Sequence, residues 1–233
     1  RACIGLVNAD FLDNILLSAE GKKIKVAATN LEIGVIKSLA AEIETEGQIT
    51  VPAKTLLEVI SGLQGKITID LQGELLAVQA GNFQATINGI AASEFPVIPL
   101  SGSEGVSFPK EVFLSCAQIL FAAAVDEGRP VLTGILTEAK DGTLSLVATD
   151  GFRLAHREVE ITKDGPATLR NLSFRNIIPR RTLEEVLRVL EEEEAEKVTV
   201  ATSEGENQII FTVGQTIISS RLIEGTFPAW EKI

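Results

Sequence analysis

Methionine is absent from this chain, histidine and tryptophan occur once each, and cysteine twice, in 233 residues. That scarcity removes much chemistry. A hydrolase or metalloenzyme needs nucleophiles, bases or soft ligands, and here they are nearly missing. Neither GxxxxGK followed by Ser or Thr, nor HExxH, GxSxG or CxxC occurs, so phosphate cradles, zinc proteases and serine hydrolases lose their markers. The lone His156 is read as a surface or structural residue, and no metal site is expected. No apolar run approaches the roughly 18 residues of a membrane-crossing helix. Positive charge is also short: 21 Lys and Arg against 32 Asp and Glu give a net charge of −11. That balance argues against a surface gripping nucleic acid all over, yet it allows a basic lining on an acidic body. Cys3 and Cys116 are read as buried thiols in a reducing compartment, which points to the cytoplasm. Without methionine, Arg1 is not expected to be a translation start.

What the chain does have is a duplication. Leu12-Asp13-Asn14-Ile15-Leu16 matches Leu132-Thr133-Gly134-Ile135-Leu136, and Ala28-Thr29 matches Ala148-Thr149, both at an offset of 120. Val51-Pro52-Ala53-Lys54-Thr55-Leu56 matches Ile178-Pro179-Arg180-Arg181-Thr182-Leu183 at 127, and Glu94-Phe95-Pro96 matches Thr226-Phe227-Pro228 at 132. The order holds while the offset grows where loops absorb insertions, so we read two copies of one domain, 1–103 and 104–233. The second copy opens with a helix expected over 109–124. Its first-copy counterpart is expected mostly before Arg1, with Arg1-Ala2-Cys3-Ile4 as its tail.

Most of the chain alternates apolar and polar residues with period two, as in Lys66–Leu71, Leu144–Ala148, Lys197–Val200 and Ile209–Val213. Such runs are half-buried antiparallel strands. Glu20-Gly21, Gln72-Gly73, Asp141-Gly142, Asp164-Gly165 and Glu204-Gly205 mark turns between them. Two matching helices stand out. Leu56, Val59, Ile60 and Leu63 form one stripe, and Leu183, Val186, Leu187 and Leu190 form another, each starting just after a proline, Pro52 or Pro179. The fold class is therefore α+β, each domain carrying two helices on a largely antiparallel sheet, with 101–105 as linker. Asp141 and Asp150 are read as turn residues, and Glu191–Glu194 as a solvated helix end.

The basic residues admit two readings. Lys54, Arg180 and Arg181 sit in the first turns of the matched helices, and Arg129 begins a loop. They either face a polyanion, or Arg181 makes ordinary surface pairs with Glu184 and Glu185. Around Thr149-Asp150-Gly151-Phe152-Arg153-Leu154 the copies diverge, either through loop drift or because a groove walled by Leu132 and Leu154, with Arg153 as polar handle, belongs to the second domain alone.

Three stretches, Arg129–Gly134, Val147–Ala155 and Gly225–Pro228, closely resemble the bacterial DNA polymerase III beta subunit family, the replicative sliding clamps. Thr29–Ile33, Val51–Lys54 and Glu94–Pro96 resemble that family's first domain. The resemblance covers essentially all of the chain. It implies tandem sliding-clamp domains, a first one lacking its opening helix and a central one, within a protomer of three domains and a ring of two protomers. By the same resemblance, Lys54, Arg180 and Arg181 face double-stranded DNA without reading its sequence, with Arg129 on a loop near it. A peptide cleft falls on Leu132, Thr149, Gly151, Phe152, Arg153 and Leu154, joined by Pro228, Lys232 and Ile233. Phe152 stands where several members have histidine. Short linear motifs of the replicative polymerase, the clamp loader and repair proteins are the implied partners, with no cofactor and no catalysis. An alternative is a peptide-binding adaptor that kept the groove and gave up the ring.

Overall fold

The computed structural model describes residues 13–100, 105–126, 128–160, 173–203 and 207–232, the last with its backbone alone. Close contacts divide the chain into two compact units with the boundary after Pro99, Gln215–Ile217 being grouped with the first.

In the first unit β1 (Asn14–Glu20), β2 (Lys23–Thr29), β3 (Ile33–Ala40) and β4 (Gly47–Pro52) form a sheet ordered β4-β1-β2-β3. After α1 (Ala53–Ser61), the strands β5 (Thr68–Gln72), β6 (Leu75–Ala80) and β7 (Phe83–Asn88) form a three-stranded meander. In the second unit β8 (Val106–Pro109) and α2 (Lys110–Ala117) come first. Then β9 (Gly134–Lys140), β10 (Thr143–Thr149), β11 (Leu154–Glu160) and β12 (Phe174–Pro179) form a sheet ordered β11-β10-β9-β12. After α3 (Arg180–Glu193), the strands β13 (Lys197–Ser203), β14 (Gln208–Val213) and β15 (Thr216–Arg221) line up as β15-β14-β13-β8. The duplication read from spacing is thus a duplication of topology. Strand for strand the orders agree, and β8 occupies in the second unit the edge that β5 leaves unpaired among the described residues of the first. Every registered strand pair within the two units is antiparallel, in keeping with the α+β expectation.

Local sequence accounts for the matched pieces. Pro52 and Pro179 end strands and immediately precede α1 and α3, with φ of −59° and −53°. The ring holds φ near the helical value, and its missing N–H is one that a first turn leaves unpaired anyway. Asp141 and Gly142, with φ of 50° and 79°, make the two-residue hairpin between β9 and β10. Positive φ at both central residues gives that turn the twist of its flanking strands. Turns Asp164-Gly165 and Glu204-Gly205 lie outside the described residues.

Two helices differ from expectation. The helix expected over 109–124 is α-helical for Lys110–Ala117 alone, and the chain then winds tighter through Leu120–Ala122. Ile119, Leu120, Ala122 and Ala123 are all buried, at 3%, 7%, 0% and 1% exposure. A three-residue winding stacks 119 over 122 and 120 over 123, so four of five consecutive positions turn inward. In α3 the stripe is broader than the heptad-like spacing suggested: Val189 is buried with Leu183, Val186 and Leu190, and Leu187 is only half-buried. Leu63 of the first unit, the counterpart of Leu190, lies beyond α1, which ends at Ser61 before Gly62.

Val112, Phe113 and Cys116 of α2 are buried, with the Phe113 ring edge-on to Phe211 at 6.1 Å. Burial pushes the Cys116 thiol up to about 12, so it stays protonated through neutral and mildly alkaline pH. Because the thiolate is the reactive form, the folded protein should resist thiol reagents there. In a Cys3→Ser variant at pH 8, Ellman's reagent is expected to label nothing until guanidinium is added, and then the single remaining thiol. Fast labelling of the native variant would show that the interior around α2 is open.

Candidate functional site

The loop between β10 and β11 is built from its own polar side chains. Thr149 Oγ1 donates to the carbonyl of Arg153 at 2.6 Å and accepts the N–H of Gly151 at 3.1 Å. Asp150 Oδ1 accepts the N–H groups of Phe152 and Arg153 at 2.9 and 3.0 Å, and Oδ2 accepts Arg153 Nε at 2.9 Å. The two backbone N–H groups, with the guanidinium beyond them, hold the Asp150 carboxyl below its ordinary value. A carboxylate lowered in the folded state stabilises it above the ordinary carboxylate range, and that contribution fades as pH falls through the lowered value. The first unit repeats the design at the same offset. Thr29 Oγ1 donates to Ile33 O at 3.0 Å and accepts Leu31 N–H, while Asn30 Oδ1 accepts the N–H groups of Glu32 and Ile33. Leu31 and Gly151 both take positive φ, 75° and 92°. What differs is the outward face: the second copy has a charge at Asp150 and a guanidinium tied to it.

That face is apolar around a fixed cation. Phe152 is fully exposed and Leu154 is 36% exposed. Arg153, anchored by Asp150, lies over the Phe121 ring at 5.7 Å, and Phe121 is itself 58% exposed. Guanidinium over ring, with the carboxylate behind it, sets the cation's direction without burying it. Of the other residues expected here, Leu132 and Thr149 are buried, at 3% and 5%. Leu132 belongs to the turn Pro130–Thr133, and its carbonyl accepts the Ala124 N–H at 2.9 Å. Arg129, expected on a loop near DNA, has its Nη1 3.4 Å from where a side chain at Gly151 would begin.

The segment that follows Gly225 packs on the β9, β10 and β12 side of this unit. Phe227 inserts into a cluster with Leu136, Val147 and Ile177, against which Val131, Ile223 and Trp230 pack. Trp230 also stacks on His156, centroids 4.4 Å apart, and His156 Nε2 meets Ser145 Oγ at 3.0 Å. The lone histidine is therefore a structural residue. With Phe227 and Trp230 anchored, Pro228 between them is exposed. Lys232 ends the turn Trp230–Lys232, and Ile233 lies outside the described residues. Nothing in the sequence gives Phe121 or Trp230 a role here, and Phe227 enters only through the repeated Phe-Pro pair. Phe121 sits in an apolar run, Ile119–Val125, where nothing marks which member faces out.

A cavity of about 800 Å³ opens elsewhere in the second unit, among Phe108, Phe113, Leu146 and Phe211, and shares no residue with this face.

The basic side chains form a second feature. Lys54 and Arg181 are each the second residue of their helix, and both are exposed, with no ion pair among the described residues. Arg180 is bonded to Glu184 at 2.7 Å. Arg188 is held by Glu185, with Nε to Oε2 at 2.9 Å, and by Glu192. The glutamates therefore pair with Arg180 and Arg188 and leave Arg181 unpaired.

Repeated topology, a repeated polar loop and a cation at one place in both repeats define a family. The profile described as DNA polymerase III beta subunit, N-terminal domain, matches residues 7–99, and that of the central domain matches 109–229. The chain belongs to the DNA polymerase III beta subunit family. The beta sliding clamp of Pseudomonas aeruginosa is 32% identical over 234 residues, covering 95% of this chain and 60% of that protein. That of Synechocystis sp. is 33% identical over 247 residues, covering 95% and 61%. Among solved structures, the C. crescentus beta sliding clamp superposes with a TM-score of 0.87 at 29% identity, over 99% of this chain and 64% of that one. The DNA polymerase III subunit beta of P. aeruginosa gives 0.84 at 30%, over 95% and 60%. The fold is that of tandem sliding-clamp domains, and the chain spans about 60% of the length of the curated relatives it matches.

Proposed function

We propose that the full-length protein of this DNA polymerase III beta subunit family member is a sliding clamp: a non-enzymatic processivity factor that closes as a homodimeric ring around duplex DNA and tethers the replicative polymerase. The observation that carries the reading is the recurrence, in two topologically identical units, of an exposed cation at the second position of the helix that follows a strand-ending proline. Lys54 and Arg181, with Arg180 beside the latter, face the phosphate backbone in this reading. Contacts of that kind position a duplex without reading its sequence. Few of them suit a protein that must slide, since each neutralised phosphate strengthens and salt-sensitises binding.

Phe152, Arg153, Leu154 and Pro228 form the peptide groove, with Leu132, Thr149 and Gly151 as its scaffold and Lys232 and Ile233 at its end. Arg129, on the loop beside Gly151, joins the DNA-facing cations in this reading. Linear motifs of the polymerase, the clamp loader and repair proteins are its ligands. The two units correspond to the first and central domains, and the cytoplasm is the site of action; among the described residues no helix is long and apolar enough to cross a membrane.

The test is topological. Full-length protein loaded by its clamp loader onto nicked circular DNA should remain through gel filtration in salt and be lost when the circle is linearised. No retention on the closed circle, or equal retention after linearisation, overturns the reading.

A further inference from the structure

The helix said above to face DNA carries an internal opponent. α3 holds three arginines against five glutamates, and the acids are not confined to its solvated end. Glu184 takes the Arg180 Nε–H at 2.7 Å, one turn along the helix. Glu185 and Glu192 bracket the Arg188 guanidinium from either side. The side chains of Arg180 and Arg188 are 29% and 25% exposed, within reach of solvent yet already partnered. A guanidinium binds phosphate through the same fork of N–H groups that binds a carboxylate. DNA must therefore displace a glutamate before it gains either contact, and the displaced carboxylate stays nearby as a repelling charge.

We propose that Glu184 is a tuning residue that holds Arg180 off the duplex, as Glu185 and Glu192 together hold Arg188, so that Arg181 alone on α3 contacts phosphate at full strength. The inference rests on the DNA-facing reading of α3 and adds to it a means of keeping the grip loose. It explains why an arginine-bearing helix in a DNA-facing position has a net negative charge. Strong binding at every arginine would multiply the salt-dependent free energy lost at each step along the duplex.

The test uses this chain with a fluorescein-labelled duplex, anisotropy being followed as salt is raised. In Glu184→Gln/Glu192→Gln, binding should tighten severalfold at low salt, and the slope of log K against log salt should steepen by about 0.9 for the freed Arg180, while Arg188 keeps its pair with Glu185. Glu44→Gln/Glu74→Gln, equal in charge change but on exposed residues of the first unit, should leave the slope unaltered. Arg181→Ala should weaken binding. If Arg181→Ala weakens binding while the α3 double variant leaves the slope unchanged, or if the first-unit control steepens it equally, the tuning role is overturned and the DNA-facing reading stands. If neither Arg181→Ala nor the α3 double variant alters binding, the DNA-facing reading itself is overturned.

Discussion

Arg153→Ala combined with Leu154→Ala lowers the affinity of the groove for a clamp-binding peptide, taken from the organism's own replicative polymerase, by about 100-fold. Each truncation at the centre of a small interface typically costs more than about 1 kcal/mol, and the two act on different parts of the ligand. Leu154 offers apolar surface at the start of β11. Arg153 is the one cation on that face whose direction is set twice over, by the Asp150 carboxylate at 2.9 Å and by the Phe121 ring. Preorganisation of that kind reduces what binding must spend on ordering a long side chain. The fold should be untouched, because Arg153 and Leu154 both project from the surface and the loop bonds of Thr149 and Asp150 that end at backbone atoms do not need them. Calorimetric titration, with thermal melting as the control, decides the matter. Wild-type affinity in a folded double variant removes the groove from this loop.

Phe211→Ala is expected to destabilise the second unit by about 3–5 kcal/mol. Phe211 is 1% exposed at the middle of β14 and meets Phe113 of α2 edge-on. Its loss removes apolar burial and an aromatic pair, and it enlarges the cavity that Phe211 already lines with Phe113. Denaturant melts followed by Trp230 fluorescence read the second unit, since tryptophan occurs once in the chain. A loss below about 1 kcal/mol would mean that the space around Phe211 closes with little strain. Phe211→Leu, which keeps most of the apolar bulk, should fall well short of the alanine cost.

The duplication, the strand-and-turn rhythm and the helix starts were legible because each depends on local rules. Proline presets a backbone angle, Asp-Gly tolerates positive φ, and period-two alternation needs no knowledge of what lies opposite. The polar loop was also legible as a motif, since Thr149 and Asp150 satisfy backbone groups within four residues of themselves. Three matters were not local. The tighter winding after Ala117 depends on how many sides of that segment are covered. Leu132, read as a wall of the groove, is 3% exposed, a degree of burial that spacing does not reveal. That Arg129 comes close to Gly151 was not legible either, because nothing in sequence tells which loops the fold brings together.

The sequence by itself determined that one domain is written twice, where each matched helix begins, and which loop carries a charged handle, because those features follow from backbone preferences and short-range hydrogen bonds. Tertiary structure alone decided which arginines remain unpaired, which apolar side chains stay exposed around Arg153, and that the segment after Gly225 packs through Phe227 and Trp230 on the β9, β10 and β12 side of its unit. Burial and ion pairing are properties of neighbours far apart in the chain, or of rotamers chosen among several within reach, and no spacing rule selects between them.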